Sequence, residues 1–228
     1  MHKQRGFTLV EILIAMLILS AVMYIGSMSF SVFSQKWQQG QQRFDGAAER
    51  AKALLLLRQA LQGSSNYIIQ NEKMQPEYLF EGSAKSLLFV TSQGLLTPGQ
   101  LSLVRLQITA TEQNDNTTDQ LWYQETPLGN TPLLSLTELP PPAQQMLLFS
   151  AENIRFNYFG WASRQDIELF FDGEGTTPKW QGSYGSAVIG QLPFTLNISW
   201  ANDEPVLLSL PQDEGYLLLF SNEKFHGE

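Results

Sequence analysis

An uncharged apolar stretch from Ile12 to Phe33 constrains this chain more than any other feature of its sequence. About 20 consecutive apolar residues in a helix span the core of a bilayer, so this stretch has the length of a membrane-spanning helix. The carboxylate of Glu11 lies at its edge, directly after Gly6-Phe7-Thr8-Leu9-Val10. An ionisable group inside such a segment indicates a functional site and requires a partner.

Cleavage of the peptide bond between Gly6 and Phe7 would create that partner. A free α-amino group has a pKa of about 8 and is largely protonated at neutral pH. Glu11 of one subunit could then pair with the new amino terminus, Phe7, of another subunit in lipid. This arrangement predicts assembly of subunits and not catalysis.

The residues from Gly6 to Glu11 also resemble the N-terminal motif of type IV prepilins and type II secretion pseudopilins. The resemblance implies that residues 1–6 are a basic leader, removed on the cytoplasmic side by the prepilin peptidase, which also methylates Phe7. It implies a single-pass protein of the bacterial inner membrane with its C-terminal domain in the periplasm. By its length and by residues 152–159, the remaining domain resembles the minor pseudopilin J group.

The resemblance implies a minor pseudopilin of a type II secretion fibre, at or near the tip, that helps to initiate assembly for protein secretion. The implied partners are other minor and major pseudopilins or pilins, the prepilin peptidase/methyltransferase and inner-membrane lipid. Glu11 argues against the larger tip subunit of that family, which lacks this acid. A minor pilin of a type IV adhesion or motility pilus is one alternative, and a membrane-anchored periplasmic binding domain is another. A secretory signal peptide or a plain anchor leaves Glu11 unexplained.

The composition permits one folded domain beside a long helix, since the chain has 228 residues of which 43% are hydrophobic. The formal net charge is −8, and Lys and Arg are not clustered, so nucleic acid is not an expected partner. There are no cysteines, which excludes disulfides and thiolate metal sites. Stability must therefore come from packing.

A helical periodicity continues beyond the apolar stretch. Residues at intervals of three, four or seven mark one helix face: Phe30, Phe33, Trp37, Phe44, Ala48, Ala51 and Leu55. Gly63-Ser64-Ser65 supplies a stop, which predicts a helix over residues 7–62, on the order of 80 Å long. We expect the apolar face near Trp37 to contact neighbouring helices, and the face beyond Phe44 to be covered by the chain's own sheet.

After Asn66 the pattern changes to short runs of β-branched and aromatic residues separated by turn residues. The predicted strands are Ser86–Thr91, Leu101–Thr109, Gln120–Glu125, Asn153–Phe159, Asp166–Phe171, Phe194–Trp200, Val206–Leu210 and Tyr216–Phe220. A helix followed by many strands predicts an α+β, pilin-like fold, in which a long N-terminal helix packs against an antiparallel, β-rich head formed by residues 63–228. Pro140-Pro141-Pro142 is interpreted as a crossover between two groups of strands.

No catalytic, cofactor or metal site is predicted. Removal of the leader would leave a single histidine, His226, close to the chain end. A Ser-His-Asp triad would then lack a histidine held in place by a third group, and a zinc hydrolase site would lack paired His or Cys ligands. Asn114–Asp119 and Asp172–Gly175 carry oxygen ligands that suit calcium, but both are interpreted as solvated turns. Trp161 and Trp180 have two open interpretations, partner anchors or core residues.

Overall fold

The computed structural model describes residues 9–70, 76–113, 116–129, 133, 135, 139–173, 175–201 and 203–212. The predicted cleavage residues Gly6 and Phe7, the predicted strand Tyr216–Phe220 and His226 lie outside this range, as does the side chain of Phe44. The chain divides into two compact units, Met1–Glu49 and Arg50–Glu228.

Three helices and twelve strands follow one another among the described residues. The helices are α1 (Leu9–Gln62), α2 (Arg164–Phe171) and α3 (Ser186–Ile189). The first seven strands are β1 (Ile68–Gln70), β2 (Pro76–Tyr78), β3 (Phe80–Gly82), β4 (Ser86–Thr91), β5 (Ser102–Gln113), β6 (Asn116–Pro127) and β7 (Gln144–Ala151). The last five are β8 (Arg155–Gly160), β9 (Lys179–Gln181), β10 (Tyr184–Gly185), β11 (Thr195–Ser199) and β12 (Val206–Ser209).

The strands form antiparallel sheets within the second unit. The largest sheet has the order β10-β3-β4-β5-β6-β7, and a four-stranded sheet has the order β12-β11-β8-β9. A third, two-stranded sheet pairs β1 with β2. The long N-terminal helix α1 and the antiparallel sheets confirm the predicted α+β class.

The last turns of α1 supply one wall of the main core. Ala53, Leu57, Ala60 and Leu61 are buried in one cluster with residues of both larger sheets. On β5, Val104, Leu106 and Ile108 are buried while Arg105 and Gln107 are more exposed, as their alternation predicts. A second cluster lies under the two-stranded sheet and contains Ile69, Leu79, Val90, Leu103, Leu128 and Leu133.

The predicted stop of α1 at Gln62 is confirmed. The hydroxyl of Thr91 donates to the carbonyl of Ala60 at 2.6 Å, and the backbone N–H of Ser92 donates to the carbonyl of Gly63 at 2.9 Å. A Cβ at Gly63 would lie 2.6 Å from Cβ of Gln93, so only glycine allows the end of β4 to approach this closely. The carbonyls left over at the helix end thus find partners on the sheet.

The predicted strand Asp166–Phe171 is wrong, because these residues lie in α2. The hydroxyl of Ser163 accepts a hydrogen bond from the backbone N–H of Asp166 at 3.1 Å, which is the geometry of a helix N-cap. Ile167 is the buried residue of this helix, so a single anchor on the core replaces the alternating pattern of a strand. A capping signal therefore outweighed the β propensity of the aromatic residues.

Two loop interpretations are also wrong. Asn116 to Asp119 belong to β6, which pairs with β5 over twelve residues, so the predicted polar loop is mostly strand. Pro140-Pro141-Pro142 lies between β6 and β7, which are neighbours in one sheet. The change of sheet occurs later, between β7 and β8, where Asn153 adopts a positive φ of 56°. The sequence patterns also missed β7 and the short elements β1, β2, β3, β9, β10 and α3.

Two buried carboxylates connect the elements of the head. Asp119 on β6 accepts from the ammonium of Lys85 at 2.6 Å and from the backbone N–H of Ile154 at 2.9 Å. It therefore connects the six-stranded sheet to the chain that enters β8. A buried carboxylate is tolerated when its oxygens are paired in this way.

Glu125 has no solvent-exposed surface and holds the loop between β4 and β5. Its carboxylate accepts from the backbone N–H groups of Leu95, Leu96 and Thr97 at 2.8, 2.9 and 3.0 Å. The hydroxyls of Tyr123 and Thr97 also donate to it. Burial alone would raise the pKa of Glu125, but these hydrogen bonds outweigh burial and hold the pKa below its usual value.

We predict that Glu125→Gln lowers the free energy of unfolding by about 2–3 kcal/mol, because the amide NH2 would face backbone N–H donors. Since the folded-state pKa is depressed, the ionised carboxylate stabilises the fold above the unfolded-state pKa, and this contribution is lost as the pH falls through the folded-state pKa. Denaturant unfolding of wild type and variant between neutral and acidic pH measures both effects. A variant as stable as wild type, with the same acid dependence, would contradict this role.

Candidate functional site

The apolar segment of α1 can cross a membrane by its length and composition. Within Leu9–Gln38, the most apolar window of 18 residues has a mean hydropathy of 2.4, and none of this window is buried within the protein. The hydroxyl of Ser20 donates to the carbonyl of Met16 at 2.8 Å, so this polar group is paired inside the helix. Such an exposed apolar surface requires lipid or other apolar helices around it.

Glu11 lies in the first turn of the described helix, and its side chain is exposed. It borders a shallow hollow on the helix surface lined by Ile12, Ala15, Met16 and Leu19. A carboxylate near the N-terminal end of a helix interacts favourably with the partial positive charge there. Because Gly6 and Phe7 lie outside the described residues, the pairing of Glu11 with an amino terminus stays a prediction.

The apolar stripe predicted along α1 is exposed at the residues whose side chains are described. In the first unit, Phe30, Phe33 and Trp37 are each more than 60% exposed, and the rings of Phe33 and Trp37 lie 6.1 Å apart. In the second unit, Ala51 is exposed and Leu55 is 67% exposed. The expectation that the chain's own sheet covers the stripe beyond Phe44 is therefore wrong.

The physical reason is the position of the core around the helix axis. Successive residues of an α-helix are separated by about 100°, so two positions differ by about 200°. Leu55 is two positions from both Ala53 and Leu57, which are buried, and it lies on the opposite side of the helix. The sheet covers one face of α1 and leaves the face with Leu55 open.

The two tryptophans in the glycine-rich region have different roles. Trp161 is buried and packs on Phe170 with a centroid distance of 5.1 Å, which makes it a core residue. Trp180 is 50% exposed and contacts Phe159 at 5.2 Å. Trp180 is therefore a surface aromatic residue, and its role as an anchor for a partner stays a prediction.

The two oxygen-rich segments do not form a ligand cluster in the part of the chain that the structure describes. No group of three or more His, Asp or Glu side chains there could hold a metal ion. Asp172 caps α2, and Gly173 and Gly175 have positive φ values of 85° and 73°, as in a turn. Asn116 to Asp119 are strand residues, and the last of them is engaged by Lys85.

Comparison with known protein families gives a match at the N-terminus of the chain. Residues 1–23 match the family described as the prokaryotic N-terminal methylation motif. No curated protein sequence matches the chain. The motif is the prepilin signal of type IV pilin-like proteins, so it supports a type IV pilin or pseudopilin that is processed by prepilin peptidase and assembles with other pilins. Together with the apolar helix, it supports a membrane-anchored, single-pass protein.

Proposed function

We propose that this protein is a minor pseudopilin of a type II secretion fibre, at or near the tip, where it helps to initiate assembly. The observation that carries the proposal is the methylation motif at residues 1–23, which runs into the membrane-length segment Leu9–Gln38. The choice of a secretion subunit rests on the resemblance of the chain's length and of residues 152–159 to the J group. A minor pilin of a type IV pilus shares the motif and is the alternative outcome of the experiments.

Assembly follows from the surface that α1 leaves uncovered. Before assembly, lipid covers the apolar segment, while Glu11 lies near its end. After extraction into a fibre, the same surface needs neighbouring helices, since it cannot face water. The exposed stripe with Phe30, Phe33 and Trp37 supplies a face for that contact. Within this proposal, Gly6 and Phe7 are the processing residues and the protein has a structural role.

Glu11 makes insertion and assembly energetically different steps. In a single subunit, its carboxylate lies near the end of the apolar segment and can reach toward the headgroups, so its charge is tolerated. In a fibre the carboxylate is surrounded by apolar helices and needs the ammonium of a neighbour's Phe7. The removal of one partner from a buried ion pair costs about 3–5 kcal/mol. This cost falls on assembly and not on insertion.

Processing at Gly6 and Phe7 tests the proposed family. In a cell that contains prepilin peptidase, the mature chain should begin at Phe7 and carry an N-methyl group, because Gly6 offers no side chain to obstruct cleavage. Mass spectrometry of the N-terminal peptide measures both changes. An intact Met1, or a mature terminus near Ser29 as a signal peptidase would produce, would contradict the proposed family.

The choice between secretion and adhesion is tested by the partners of the processed protein. The full chain, extracted in mild detergent from cells that contain both systems, should co-purify with type II secretion subunits. Co-purification with type IV pilus subunits alone would support the alternative. Recovery of neither set, with a correctly processed N-terminus, would favour an anchored binding domain.

The role of Glu11 in assembly can be separated from its role in processing. Glu11→Gln or Glu11→Ala should leave cleavage and membrane insertion largely intact and reduce entry into the fibre by about 100-fold, the equivalent of about 3 kcal/mol. Crosslinking between this subunit and its neighbours measures entry, and a cleavage assay on the same cells measures processing.

Glu204→Ala is the matched control, since Glu204 is an exposed carboxylate of the head and should not affect either assay. Normal crosslinking and normal secretion or piliation with Glu11→Ala would show that the carboxylate is dispensable. The pairing of Glu11 with Phe7 would then have to be abandoned.

A further inference from the structure

The outward face of α1 within the second unit is apolar at its centre and basic at its sides. Leu55 is 67% exposed and lies opposite the buried residues Ala53 and Leu57. Lys52 and Arg58 are each three positions from Leu55, one on either side along the chain, and both are exposed. Residues three apart are neighbours on a helix surface, so both cations border the leucine.

The cations of this face are not engaged within the head. In the part of the chain that the structure describes, the ion pairs join Arg50 to Asp203, Lys85 to Asp119 and Arg164 to Glu168. No described carboxylate lies within ion-pair distance of Lys52 or Arg58. The contrast with Arg50 is informative, since it lies on the same helix, points toward the head and has an acidic partner.

The positive charge of this face is opposite in sign to the net charge of the chain. The full sequence has 14 Lys and Arg against 22 Asp and Glu, a formal net charge of −8. An acidic protein that presents two cations around an exposed leucine has a local surface opposite in sign to the whole. Complementary charges across an interface select the partner and set its register.

We propose that the face formed by Ala51, Lys52, Leu55 and Arg58 binds an acidic surface of a neighbouring fibre subunit, with Leu55 inserted between carboxylates that pair with Lys52 and Arg58. This inference rests on the proposed function and adds to it the chemistry of the partner. The apolar stripe supplies contact area along α1, whereas the two cations decide which subunit docks beside the head and at which height. Apolar contact alone would allow several positions along the helix.

The test uses the full chain in cells that contain the assembly system. A photo-crosslinking amino acid at position 55 should yield an adduct of fixed mass with another subunit, and the crosslinked peptide should contain Asp or Glu. Combining that probe with Lys52→Glu and Arg58→Glu should reduce the adduct about fivefold or more, because attraction becomes repulsion. Reversal of the identified acids in the partner to Lys should restore it.

Two controls separate charge from loss of fold. Arg155→Glu with Lys179→Glu makes the same charge change at exposed positions of β8 and β9, and it should leave the adduct at position 55 unchanged. A probe at position 207, where Leu207 is also more than half exposed, should not give the same adduct. Limited proteolysis of each variant should show the wild-type pattern.

The outcomes distinguish this inference from the proposed function. An unprocessed N-terminus would contradict the proposed function itself. A processed subunit that enters the fibre, but whose adduct at position 55 is insensitive to Lys52→Glu and Arg58→Glu or maps to a peptide without acids, would overturn the inference alone. An adduct with lipid only, or with a protein outside the fibre, would overturn it as well.

Discussion

The burial of one face of α1 against the sheets is the contact on which the rest of the head depends. Ala53, Leu57, Ala60 and Leu61 enter the main core, and the sheet residues around them have no other helix of comparable length in the described chain to cover them. A helix can bury only part of its circumference against a sheet. The same contact therefore determines which face of α1 remains free for partners.

The ends of this contact are held by polar groups that do not belong to α1. Thr91 and Ser92 donate hydrogen bonds to backbone carbonyls at the end of the helix. Glu125 accepts hydrogen bonds from the loop that follows these two residues. The carboxylate is acceptable in the interior because backbone N–H groups and hydroxyls surround it. A buried acid thus maintains the geometry of the helix end.

Several parts of the fold followed from local patterns. The stop at Gln62 was predictable from Gly63-Ser64-Ser65, and β4 from a run of apolar and β-branched residues between turn signals. The aromatic residues of α2 predicted a strand, but Ser163, three residues before Asp166, is an N-cap that favours a helix. The shortest strands were missed because two or three residues carry too little periodicity to distinguish a strand from a loop.

The sequence by itself determined the membrane-length segment, the motif around Gly6, Phe7 and Glu11, and the end of α1, because each depends on neighbours along the chain. Only the tertiary structure decided that Leu55 faces outward, since the periodicity of a helix defines a stripe but not what covers it. It also decided how the charge of Glu125 is accommodated: strand alternation places this residue on the same buried face as Leu121 and Tyr123, but its hydrogen-bond donors come from the loop between β4 and β5. A buried carboxylate is stable only when hydrogen-bond donors surround it, and here they come from a loop that is distant in sequence. No local sequence pattern predicts that this loop lies beside Glu125.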